Sequence, residues 1–333
     1  MSSEDSNPMT RRRALKCLAY GGAGTLFTLA GGVLLPVDLA LAASDTTAGP
    51  SRGTPLFVQI SDTHIGFNKD ANPDVSGTLQ RSIALINAMP DRPTMVIHTG
   101  DITHLSKPSE FDQAALLLST LRVTELHTTP GEHDVADASA SEYFDRYGKA
   151  SGRRGYYSFD YQGVHFVALI NVLNFRANNM ASLGAEQLAW LRKDLERFPK
   201  TAPIVVFTHR PLFDLKPDWE WFTSDGDRVM SALAAYENVT VLYGHIHREH
   251  VHAEGNATHY ASRSLIFAFP DPETGAPKKP IAFDASKPFQ NLGLRRVAER
   301  PPARPDVQQV ELTLHEYAGT VGIQQILKEG EES

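Results

Sequence analysis

Seven side chains of two kinds, carboxylate and imidazole, recur in short motifs through the middle of the chain. They are Asp62 and His64, Asp101, Glu132, His209, and His245 with His247. Carboxylate oxygens and imidazole nitrogens are donors that suit Mn, Fe or Zn. Their settings are Asp62-x-His64, Gly100-Asp101, Gly131-Glu132-His133-Asp134, a single His209, and Gly244-His245-Ile246-His247. Any one of these alone is weak, because ordinary turn aspartates and surface histidines are common. The set becomes informative through what precedes each member.

Each motif follows a strand-like run. Leu56–Ile60 leads into Asp62, Met95–Ile97 into Gly100-Asp101, and a short strand near Leu126 into Gly131-Glu132. Ile204–Phe207 leads into His209, and Val239–Tyr243 into Gly244-His245. Between these runs the period changes to that of helices: residues 75–89 with Leu79, Ile83 and Ile86, residues 109–121, 185–198 and 227–236. Residues 156–170 alternate on either side of Gln162-Gly163 and read as a hairpin. Alternating strands and helices predict an α/β domain, whose binding residues gather past the carboxyl ends of the strands. After His252 the pattern weakens, with strands expected only at Leu265–Phe269 and Val310–Leu314.

Read in order, the motifs resemble the calcineurin-like metallophosphoesterases, which include purple acid phosphatases and class III cyclic-nucleotide phosphodiesterases. The resemblance spans about residues 55–255. It implies a four-layer α/β/β/α sandwich with a dinuclear metal centre at one edge of the sheets. It implies that Asp62, His64 and His247 hold one metal, that Glu132, His209 and His245 hold the other, and that Asp101 bridges them. His133 would protonate the leaving oxygen, Asp134 would orient His133 by a hydrogen bond, and a metal-bridging hydroxide would attack phosphorus. Two metals about 3.5–4 Å apart supply both the Lewis acid and the nucleophile that a phosphoester needs.

One position departs from the resemblance. The family motif is Gly-Asn-His, and this chain has Gly131-Glu132-His133. Asparagine is a neutral ligand that can also donate, whereas glutamate is charged and accepts only. Two divalent metals, two carboxylates and a hydroxide leave the usual site at about +1, and Glu132 would bring it to about zero. That predicts a shifted metal preference, with one Fe(III) among Fe, Mn and Zn, and a tilt from dianionic monoesters toward diesters. The alternatives are a phosphomonoesterase, or a non-catalytic metal- or partner-binding protein in which Glu132 is the inactivating change.

Other chemistry-bearing residues have plainer expectations. His98 lies within a strand and reads as a core histidine. His104 is expected to face substrate or to stand behind the metal ligands. His250 and His252 read as solvated surface. Trp219 and Trp221, in a polar loop over residues 211–226, either pack or line a substrate cleft.

The N-terminus has its own logic. Arg11, Arg12, Arg13 and Lys16 precede an uncharged run to Leu35, and Ala40-Leu41-Ala42 offers a small-x-small cleavage pattern. Residues 1–42 therefore read as a secretory signal resembling the twin-arginine type, with the twin-arginine translocase as a partner and the periplasm as destination. The run is short and Gly-rich for a span, so no stable membrane anchor is expected after cleavage. Residues 43–54 read as a linker, 55–270 as the catalytic domain, and 271–333 as a segment that packs on or completes the sandwich. Cys17 is the single cysteine, so no intrachain disulfide can form. The net charge of −7 argues against a broad nucleic-acid-binding face, and a small-molecule phosphoester is the expected substrate.

Overall fold

In the computed structural model the described residues are 27–30, 33–36, 56–89, 92–135, 140–173, 181–299 and 307–313. The chain divides into two units, Met1–Arg52 and Gly53–Ser333. In the first, strands β1 (Phe27–Ala30) and β2 (Val33–Pro36) pair antiparallel. The expected signal and linker otherwise lie outside the described residues. No helix among the described residues is long and apolar enough to cross a membrane.

The second unit holds two mixed sheets. In the first, β3 (Leu56–Ile60), β4 (Met95–His98) and β5 (Glu125–Thr128) run parallel. The antiparallel pair β12 (Gly293–Glu299) and β13 (Val307–Thr313) extends this sheet from β3, so the segment after residue 270 supplies strands to it. The second sheet contains β6 (Tyr157–Tyr161), β7 (Val164–Ala168), β8 (Pro203–Phe207), β9 (Asn238–Tyr243), β10 (His250–Glu254) and β11 (Ala257–Ala261). Its order is β10-β11-β9-β8-β7-β6, with β7, β8, β9 and β11 parallel.

Alternation along each strand builds the layers. Phe57, Met95 and Ile97 of the first sheet meet Phe166, Val205, Phe207 and Leu242 of the second in one buried cluster. The intervening Val58, Ile60 and Val96 face the helices α1 (Val75–Ala88), α2 (Pro108–Leu118) and α3 (Ser141–Tyr147). Val167, Ile204, Val206 and Val241 face α4 (Ala185–Leu195) and α5 (Gly226–Leu233). The layers are thus α/β/β/α, and strands covered on both faces read as near-continuous apolar runs. Helix α1 begins where the Asp74 carboxylate accepts from Gly77 N at 2.8 Å. It buries Leu79, Ile83 and Ile86, roughly 1.5–3 kcal/mol for each such side chain.

The hairpin expected over 156–170 forms as β6–β7, with both Gln162 (φ 49°) and Gly163 (φ 83°) in the left-handed conformation that a two-residue turn requires. The strand expected at Leu265–Phe269 does not form. Leu265 and Ile266 are buried, but the segment's polar backbone groups are taken by loops and side chains. Leu265 N donates to Ser61 O, Asn72 Nδ2 donates to Ile266 O, and His247 Nδ1 donates to Phe267 O. The segment thus serves as a floor beneath a group of loops. Strands β10, β11 and β12 and helix α3 arise where the sequence pattern is weak.

Candidate metal centre

The carboxyl ends of β3, β4 and β5 in one sheet, and of β8 and β9 in the other, meet at one edge of the sandwich. Gln59 of β3 ties the two sheets there, donating to Tyr243 O of β9 at 3.0 Å and to Thr99 Oγ1 at 3.1 Å. Beyond the strand ends the backbone is bent sharply. Asp62, His64, Asp101, His245 and His247 all have positive φ, between 42° and 66°. Such conformations cost on the order of 1 kcal/mol or more each and persist only where the surroundings enforce them. Here neighbouring loops do so: Asp62 N donates to Gly100 O, His64 N to Asp101 O, and His245 N to both carboxylate oxygens of Asp62. Gly131 is required by close approach, because a Cβ on it would lie 2.0 Å from Asp101 Oδ1.

These bends gather the seven expected residues into two groups that share Asp101. One is Asp62, His64, Asp101 and His247; the other is Asp101, Glu132, His209 and His245. In each, one donor atom per residue lies within 4.8 Å of the others. Asp101 Oδ2 sits 3.3 Å from both His64 Nε2 and His209 Nε2. His247 Nε2 lies 3.3 Å from Asp62 Oδ1, and His245 Nδ1 lies 2.9 Å from Glu132 Oε1.

The second ring nitrogens fix the orientation of two of these imidazoles. His209 Nδ1 donates to Thr99 O at 2.7 Å and His247 Nδ1 to Phe267 O at 3.0 Å. That leaves each Nε2 with its lone pair turned inward, as metal ligation requires. His64 Nε2 and His209 Nε2 are buried without a hydrogen-bond partner among the described residues. Unsatisfied buried nitrogens facing carboxylates fit a cation between them, and this donor set suits Mn, Fe or Zn.

Protonation tendencies divide across the cluster. For His209, burial is outweighed by Asp101 and Glu132, which raise it well above the usual imidazole value, so a cation there would have to displace a proton. Asp62, His64, Glu132 and His245 favour the form that binds a metal. Burial alone would raise the Asp62 carboxyl, but His247 and His209 beside it and a hydrogen bond from Ser61 bring it to about 2. Burial lowers His64 well below the usual imidazole value, and neighbouring histidines lower it further. Burial also brings His245 to about 4, against the pull of Glu132. For Glu132, burial is outweighed by His245, Arg210 and His209, which hold it well below the carboxylate range.

Asp134 departs from expectation. Its carboxylate accepts from Ile102 N, Thr103 N, Thr103 Oγ1 and Gly131 N at 2.8–3.0 Å, so it braces the loops instead of orienting His133. The orienting contact comes from a backbone group: His133 Nδ1 donates to His104 O at 2.7 Å. The His104 ring stacks on His133, with centroids 5.0 Å apart, and its Nδ1 lies 3.3 Å from His64 Nδ1. His64, His104 and His133 form a third group able to hold an ion.

Elsewhere, His98 is fully buried and paired with Thr63 Oγ1 and Gly100 N. His250 and His252 are partly buried rather than solvated, and His252 stacks on Phe213 at 4.0 Å. Trp219 and Trp221 are buried and packed edge to face, so they support the 211–226 loop from within. Lys278, from the segment after residue 270, donates to Trp219 O at 2.6 Å and lies 3.6 Å from Glu220.

One residue escaped the sequence reading. Arg210 is 1% exposed, and it presents Nη2 to Glu132 Oε1 at 3.2 Å and Nε to Glu132 Oε2 at 3.4 Å. The charge count that left the site neutral is thereby corrected, because a guanidinium faces the extra carboxylate and returns the total to about +1. The signal was present in Glu132 itself, an anion without a counter-charge in the motif. Its partner lies 78 residues away, beyond any local pattern.

Comparison with known proteins bears on the family and the fold. A family model described as calcineurin-like phosphoesterase matches residues 55–249. A probable glycerophosphodiester phosphodiesterase of Arcobacter nitrofigilis is 28% identical over 214 residues, covering 58% of this chain and 72% of the relative. A 3′,5′-cyclic-nucleotide phosphodiesterase of Nostoc sp. is 23% identical over 224 residues, covering 66% of this chain and 81% of the relative. Among solved structures, a dimetal phosphatase from Danio rerio has a similar fold, with a TM-score of 0.57 at 17% identity over 78% of this chain and 99% of that one.

Proposed function

The chain belongs to the calcineurin-like phosphoesterase family, and from that premise we propose a phosphodiesterase acting on small-molecule diesters with two metal ions. The protein is a metal-dependent phosphoester hydrolase. The observation that carries the reading is the sharing of Asp101 between two four-residue groups, in which His64 Nε2 and His209 Nε2 are buried without a hydrogen-bond partner among the described residues. Asp62, His64 and His247 would hold one ion, Glu132, His209 and His245 the other, and Asp101 both. When bound, the ions would polarise the phosphoryl oxygens and make water nucleophilic near neutral pH.

The residues of the chain do the rest. With Nδ1 committed to His104 O, His133 keeps Nε2 for a proton passed to the leaving oxygen. Burial would lower His133, but Asp101 and Glu132 outweigh it and raise its affinity for that proton. Asp134 holds the loops that place Asp101 and His133. Residues 211–226 and the segment carrying Lys278 would shape one wall of the cleft.

The diester preference rests on the two phosphodiesterase relatives, because the charge argument for it is offset by Arg210. That offset favours a second reading, a phosphomonoesterase, since a site near +1 accepts a dianion well. Turnover of bis(p-nitrophenyl) phosphate and p-nitrophenyl phosphate by protein of measured metal content separates them. Two ions per chain and faster diester turnover are expected. Faster monoester turnover would establish the second reading, and no turnover with Mn, Fe or Zn would point to a non-catalytic binder.

We also propose export to the periplasm by the twin-arginine translocase, with residues 1–42 as the signal and 43–54 as a linker, on the strength of Arg11-Arg12 and the Ala40-Leu41-Ala42 pattern. Replacing Arg11 and Arg12 together by lysine should retain the protein in the cytoplasmic fraction. Unchanged export would refute the route.

A further inference from the structure

We propose that Glu132 and Arg210 work as one unit, in which Arg210 is a positioning residue that supplies the counter-charge to an anionic ligand. The inference rests on the two-metal reading of the site and goes beyond it. The geometry is that of a fork. Each Glu132 oxygen takes one N–H from Arg210 and faces one imidazole on the other side: Oε1 lies 2.9 Å from His245 Nδ1, and Oε2 lies 3.1 Å from His209 Nε2. Two parallel contacts fix the plane of a carboxylate as well as its charge.

The fork stands on a built base. Asn171, just beyond β7, donates from Nδ2 to Arg210 O at 3.0 Å and accepts from Arg210 N at 3.4 Å. Pro211 follows, and its carbonyl accepts from Thr223 Oγ1 at 2.7 Å. Thr223 also accepts from Asn171 Nδ2 at 2.8 Å. The backbone that carries the guanidinium is therefore held from two loops. Taking a guanidinium and a carboxylate out of water is costly unless each satisfies the other, and leaving either alone is worse than losing both. Acting together, the pair would hold a metal through a charged ligand without lowering the site's attraction for phosphate.

The consequence is a pair of opposed signs that packing alone cannot produce. Arg210→Gln removes a positive charge beside the metal ligands. It should tighten Mn(II) binding to the metal-free protein and weaken competitive inhibition by inorganic phosphate, each on the order of tenfold. Glu132→Asn should do the reverse to both. The double variant should return phosphate inhibition to near the wild-type level, and Arg210→Lys should restore most of it through charge while lacking the fork.

Calorimetric Mn(II) titration, phosphate inhibition constants and urea unfolding of chelator-treated protein give the three readouts. The pair is overturned if both single variants move metal and phosphate binding in the same direction, or if the double is no better than the worse single. Wild-type protein that takes up no metal would refute the two-metal reading. The unfolding cycle on metal-free protein would still decide the pair, because additive losses would mean Glu132 and Arg210 are not coupled.

Discussion

His133 is held through its own ring and not by a neighbouring carboxylate. Its Nδ1 proton is committed to the His104 carbonyl, so the ring cannot turn that nitrogen toward a substrate. A group placed this way matters only as much as the leaving oxygen needs a proton. We expect His133→Ala to slow an alkyl diester by about 10²–10⁴-fold and to leave a p-nitrophenyl diester nearly unaffected. Steady-state kcat on the two substrates checks this, and an equal fall on both would assign His133 to binding instead. At this scale Glu132 was legible as an exception to a motif, while its remedy, Arg210, was not. A charge can be read from a sequence, but the partner that neutralises it across 78 positions cannot.

At the scale of elements, the helices behind the sheets are joined to them by buried polar contacts as well as apolar packing. Asp194, near the end of α4, accepts from Ser158 of β6 at 2.9 Å and from His165 of β7 at 2.8 Å, and it also pairs with Arg197. It is buried at 7% exposure. Burial would raise its pKa, but the hydrogen bonds from His165 and Ser158, and the charges of His165 and Arg197, hold it below the ordinary 3.8. A carboxyl depressed on folding contributes stability above its unfolded pKa and loses it as pH falls through the folded value. Asp194→Asn should therefore cost about 1–3 kcal/mol near neutral pH. The deficit should shrink as pH falls below about 3.8, as wild type loses the same contribution. Urea midpoints of both proteins across that range test it; a constant difference would show that the charge of Asp194 does not contribute.

At the scale of the molecule, the candidate ligands come from both sheets. Asp62, His64, Asp101 and Glu132 follow strands of the first, and His209, His245 and His247 follow strands of the second. Ions bound there would cross-link the two halves of the sandwich at one edge. Removing them with a chelator should lower Tm by about 5–10 °C, the shift expected for ligand at roughly a hundred times its Kd on a domain of this size. Restoring Mn or Zn should recover it, and differential scanning fluorimetry reads both. Insensitivity to chelator and to added metal would count against ions at this edge.

The residue types at the strand ends, their order along the chain and the period of the flanking segments were determined by the sequence alone. Those features suffice for an α/β domain and for carboxylates and imidazoles past its strand ends, because strand period, helix period and donor chemistry are local properties; the four-layer sandwich followed only from the family resemblance of the motifs. Only the tertiary structure decided what stands around the cluster. It put Asp134 on the backbone of Ile102, Thr103 and Gly131, gave His133 a carbonyl partner, buried Trp219 and Trp221, and turned Leu265–Phe269 into a floor instead of a strand. It also set Arg210 against Glu132. Each of these outcomes depends on which groups meet across loops distant in sequence, where burial and the pairing of charge are settled jointly by both partners.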